Sequence, residues 1–90
     1  MLELSNFYID GRWTPSASTA SHTLIDATTE QPFGTVALAG KAEVDAAVAA
    51  AKRAFPAWAE SDPAARIALV RRIYDIYAGR VEEMARVISQ

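Results

Sequence analysis

The sequence predicts antiparallel strands and hairpins over residues 1–39, followed by three amphipathic helices over residues 40–90. Three observations predict it. Phe7-Tyr8-Ile9 and Arg12-Trp13 flank Asp10-Gly11, a pairing suited to a two-residue hairpin whose central positions both need positive φ. Between Gly40 and Glu60 the residues Val44, Ala47, Val48, Ala51, Phe55 and Trp58 recur at steps of three and four, which draws one apolar stripe along a helix. Asp62-Pro63 is a helix start, a short polar N-cap followed by proline at the first helical position.

The chain is one small domain at most: 90 residues, 51% of them hydrophobic, too apolar to be disordered. A chain this short buries only roughly 60 to 65% of its unfolded surface, so its stability is marginal without further contacts. Nine Lys and Arg are interspersed with eleven Asp and Glu, a net charge of -2 that argues against nucleic-acid binding. There is no cysteine, hence neither a disulfide framework nor a thiol nucleophile. The opening MLELSNFYID has neither a basic stretch nor a long apolar run, so no signal peptide or membrane span is expected and the cytoplasm is the expected compartment.

In chain order, the hairpin around Asp10-Gly11 comes first. Pro15 to Ser21 reads as a small-residue surface loop that tolerates change. His22, the single histidine, is assigned no role. Thr23 to Ala27 and Gly34 to Ala39 read as two strands pairing antiparallel across a loop that contains Pro32. The organising helix follows, with Gly40 as N-cap and Glu43 three residues on. Glu43 and Asp45 suit the positive end of its dipole, and Lys52 and Arg53 suit the other end. Pro56 should tighten or stop it around Phe55 to Trp58, and Trp58 is expected to be buried against the second helix. That helix carries Ile67, Val70, Ile73, Tyr74 and Tyr77 on one face, an Arg71–Asp75 pair on the other, and Gly79 as its stop. Val81, Met84, Ala85 and Ile88 begin a third helix with a Glu82–Arg86 pair. Ser89-Gln90 offers no cap, so the chain is expected to break off within an element, as a truncated protein would.

No residue pattern carries chemistry. Gly11, Gly34, Gly40 and Gly79 are too scattered for a dinucleotide fingerprint or phosphate loop. Glu82 and Glu83 point about 100 degrees apart on a helix, Glu43 and Asp45 diverge similarly, and solvated faces account for all four. The serines have no histidine and carboxylate at triad spacing.

The run VDAAVAAAKRAFPAW, the later DPAAR and IALVRRI, and FYIDGRW near the start together resemble the N-terminal segment of the aldehyde dehydrogenase superfamily, in order and spacing, over nearly the whole chain. The resemblance implies an α/β parent several times longer, of which residues 1–90 form the N-terminal part of the cofactor-binding domain. It implies an oxidoreductase that converts an aldehyde to a carboxylic acid with NAD or NADP, usually as a homo-oligomer. In that family a cysteine thiolate attacks the carbonyl, hydride passes to the nicotinamide, and a glutamate activates water. Those groups and the cofactor loop fall beyond Gln90, so no catalytic or cofactor-binding residue maps onto this chain and no cofactor is expected for it alone. Some relatives hold an alkali cation through a main-chain carbonyl that matches Ile25. The family usually has Asn-Pro where Asp26-Ala27 stands here. A second reading stays open beside this one: an autonomous, non-catalytic helical module that binds a protein partner through its stripes.

Overall fold

The computed structural model describes every residue from Met1 to Gln90. It divides into two compact units, Met1–Pro56 and Ala57–Gln90.

The first unit holds five strands and most of the first helix. Strand β1 (Leu2–Leu4) and strand β2 (Asn6–Ile9) are separated only by Ser5, where the chain passes from one sheet to another. Strand β3 (Arg12–Pro15) pairs antiparallel with β2, Tyr8 opposite Trp13, and the two rings lie 5.1 Å apart. Between them Asp10 and Gly11 take φ of 54° and 75°, the doubly left-handed turn that matches the twist of a tight hairpin. Gly11→Val forces a β-branched residue into that region at about 1–2 kcal/mol. The β2–β3 amides are expected to lose exchange protection while the other sheet keeps its own; unchanged protection in the hairpin would contradict the turn assignment.

Strand β4 (Ser21–Ile25) and strand β5 (Pro32–Ala37) pair antiparallel, and β5 is the centre of a three-stranded sheet in the order β1-β5-β4. β4 begins two residues earlier than the sequence suggests, taking in His22, and it ends at Ile25. β5 begins at Pro32 rather than Gly34. Proline is tolerated there because the first residue of a strand can dispense with its N–H. The parallel pairing of β1 with β5 was not anticipated from the sequence.

Helix α1 (Lys41–Ala59) contains Pro56 without being cut short by it. Proline removes one donor in the last turn, and the helix runs on to Ala59. Lys41 and Asp45 pair at 2.6 Å on its exposed side. Arg53 reaches Asp10 in the hairpin turn at 3.4 Å, and the small residues Ala47, Ala50 and Ala54 share a groove with Tyr8 and Ile9.

The second unit holds the end of α1, helix α2 (Pro63–Ala78) and helix α3 (Val81–Ser89). Asp62 caps α2 as expected, accepting from the Ala64 amide at 3.0 Å. Gly79 ends it in the right-handed region (φ −78°), so the stop does not use glycine's access to positive φ. The expected Arg71–Asp75 and Glu82–Arg86 pairs do not form. Arg80 instead grips Glu83 with two hydrogen bonds of 2.8 and 2.6 Å across the start of α3. Both partners are more than half exposed, so the pair contributes little to stability.

The apolar stripes have the predicted phase but not the predicted burial. No hydrophobic residue is buried anywhere in the chain: Phe55 is 66% exposed, Ile67 66% and Trp58 49%. The expectation that Trp58 is buried on the second helix is therefore corrected. Periodicity marks which face is apolar; it carries no information about what covers that face. No helix is long and apolar enough to cross a membrane.

Candidate functional site

Glu43 is the sole buried residue with a charged or polar side chain, at 7% exposure. The sequence suggests a solvated acid in the first turn of α1, and the structure corrects that. Gly40 precedes the helix, and its carbonyl accepts from the Val44 amide at 3.2 Å. The Glu43 side chain folds back so that Oε2 accepts from the Gly40 amide at 3.1 Å, one half of a capping box.

The other oxygen reaches across the fold. Oε1 accepts from the Ala17 amide at 2.7 Å and lies 3.3 Å from Ser16 Oγ. The segment Pro15 to Ser21, expected to be a tolerant loop, is thus a strap tied at Ser16 and Ala17 to the start of α1. It is also ordered within itself: Ser16 Oγ accepts from the Ser18 amide, and Ser18 Oγ accepts from the Ala20 amide, each at 3.1 Å. The Ala17 amide foremost, with the amides of Glu43 and Gly40 and the Ser16 hydroxyl, holds the Glu43 carboxyl below its ordinary value, against an upward push from partial desolvation. Glu43 also lines an open groove of about 550 Å³ with Ile9, Trp13, Pro15, Ala42 and Ala46.

The sequence-predicted cation ligand, Ile25, lies at the end of β4, next to a register irregularity and opposite Pro32. Proline brings no N–H to that position. Beyond it Asp26 closes the turn: Oδ1 accepts from the Thr28 and Thr29 amides at 2.7 and 3.1 Å, and its backbone pairs with Glu30 and Gln31. Glu30 takes φ of 59° to complete the loop. An aspartate thus organises this turn. No group of three or more His, Cys, Asp or Glu side chains is placed to hold a metal ion.

The sequence model of the aldehyde dehydrogenase family matches residues 13–90. Among curated proteins, N-succinylglutamate 5-semialdehyde dehydrogenase of Caulobacter sp. (strain K31) is 42% identical over 83 residues, 92% of this chain and 17% of that protein. The 2-aminomuconic semialdehyde dehydrogenase of Mus musculus is 36% identical over 90 residues, the whole of this chain and 18% of that protein. Among solved structures, an aldehyde dehydrogenase from Bartonella henselae superposes with a TM-score of 0.92 at 35% identity, over 99% of this chain and 19% of the other. The chain spans less than a fifth of the length of these relatives, and it belongs to the aldehyde dehydrogenase family.

Proposed function

We propose that residues 1–90 are the N-terminal part of the cofactor-binding domain of an aldehyde dehydrogenase, and that the whole protein oxidises an aldehyde to a carboxylic acid with NAD or NADP. The observation that carries this reading is the family match over residues 13–90, supported by close superposition on a far longer enzyme. The role of this segment is structural. Three of its four glycines offer no cradle for a pyrophosphate: the Gly40 amide is taken by Glu43, the Gly79 amide by Asp75, and Gly34 is closed off by Leu2. In the whole protein, which we propose is a cytoplasmic homo-oligomer, further chain would cover the apolar faces of α1 and α2. The rival reading, an autonomous helical module, is disfavoured because a self-sufficient domain buries apolar side chains and this one buries none.

The Ile25 carbonyl is proposed as one oxygen of an alkali-cation site in the whole protein. Pro32 opposite it leaves the position free of one competing donor, and the remaining oxygens would come from chain beyond residue 90. A thermal midpoint of the whole protein indifferent to sodium and potassium would remove this ligand.

The test of the function is an assay of the full-length gene product with a panel of aldehydes and either NAD or NADP, followed by the absorbance of the reduced nicotinamide. Turnover is expected with the full-length protein. Residues 1–90 alone, which contain no cysteine, are expected to stay at background. A full-length protein that reduces neither nucleotide with any aldehyde overturns the reading.

A further inference from the structure

We propose that Glu43 is a charge-operated latch, its ionised carboxylate holding the Ser16–Ala17 strap and the first turn of α1 together and its neutral form releasing both. The donor geometry carries this. Two amides, from Ala17 at 2.7 Å and from Gly40 at 3.1 Å, converge on the two oxygens of one nearly covered side chain. The Ser16 hydroxyl has a single proton and two acceptors within reach, Glu43 Oε1 at 3.3 Å and the Ser18 carbonyl at 3.2 Å, so the two amides are the fixed ties. Protonation removes the negative charge that strengthens both amide hydrogen bonds and occupies one acceptor position of the carboxyl, so the two ties weaken together. Because both ties run through the same group, the strap and the helix start respond together although they are more than twenty residues apart in sequence.

No cation shares the load. None of the three ion pairs in the chain includes Glu43. On its own helix Lys41 and Asp45 are paired with each other. From the hairpin, Asp10 and Arg12 line the same groove, and Asp10 is paired with Arg53. The strap itself has no titratable side chain. The latch is therefore held by neutral donors, and its response follows the proton on Glu43 rather than the titration of a partner. Since the folded carboxyl sits below its ordinary value, the latch is closed at and above the ordinary carboxylate range and opens as pH falls through the lowered value.

The test is amide hydrogen exchange of the full-length protein across the acid range, corrected for intrinsic rates, alongside a direct titration of the Glu43 carboxyl by NMR. Protection at Ala17 and Gly40 is expected to fall together, by about tenfold or more, at the pH where Glu43 takes up its proton, while the β4–β5 ladder at Thr23 and Thr35 keeps its protection. Glu43→Gln is expected to show the open level at both amides at every pH, and Ser16→Ala to keep the wild-type response. Separate midpoints for the two amides, a midpoint away from the Glu43 titration, or simultaneous loss in the β4–β5 ladder would each overturn the proposal. The wild-type measurement decides the matter even if Glu43→Gln does not fold.

Discussion

Gly34→Ala is expected to strip β1 from the sheet, although replacing a strand glycine by alanine ordinarily stabilises by about 0.5–1 kcal/mol. Gly34 is buried at the centre of β5, with Leu2 in register on one side and Leu24 on the other. A Cβ built there would stand 2.7 Å from the Leu2 carbonyl oxygen and 2.9 Å from the Leu2 Cβ. The first of those atoms is backbone and cannot turn aside, so the strand as a whole must move. β1 has three residues and a single partner strand, whereas β4 is held by five register pairs, so β1 is the element that yields. Overpacking of this kind costs about 1–3 kcal/mol, enough to reverse the usual sign. Amide exchange should show β1–β5 protection lost and β4–β5 protection retained. In a chain lacking residues 1–4 the same substitution should be neutral or stabilising. A destabilisation that persists without β1 would mean that the clash is not with Leu2.

Residues 1–90 alone are expected to associate as concentration rises, with tertiary packing loose around both tryptophans. Trp13 is 71% exposed and Trp58 49%, and the helices carry their apolar stripes uncovered. Contiguous apolar patches beyond a few hundred Å² drive association, and a net charge of -2 opposes it weakly. Sedimentation across a concentration series should show a rising average mass, and near-UV circular dichroism weak bands. Trp58→Ala should then cost far less than the roughly 3 to 5 kcal/mol of a buried aromatic. A monomer at all concentrations, with sharp near-UV bands and a cooperative melt, would return the advantage to the autonomous-module reading.

What could be read in the sequence is what neighbouring residues decide among themselves. Asp10-Gly11 states its turn because positive φ at two successive positions suits few residues, and Asp62-Pro63 states its helix start because cap and proline act within four residues. The family was legible too, through the spacing of several such pieces. The features that escaped are those whose second half lies far away. β1 pairs with a strand about thirty residues on, and three residues set no periodicity. Gly40 and Glu43 announced a helix cap, but nothing near Ala17 announces that its amide lies 2.7 Å from the same carboxylate. The choice of Arg80–Glu83 over Glu82–Arg86 was equally hidden, since several spacings permit a surface pair and none is worth much.

The parallel pairing of β1 with β5 also bears on how the chain is made. Leu2 leaves the ribosome about thirty residues before Gly34, its partner. At roughly 5–20 residues per second that is a wait of about 2 to 6 seconds. During it Leu2 and Leu4 are presented on an unpaired strand. The segment is only three residues long, and Glu3 interrupts its leucines with a charge. Both features disfavour adhesion to another nascent chain, so the shortness of β1 protects it during synthesis at the expense of its hold on the finished sheet.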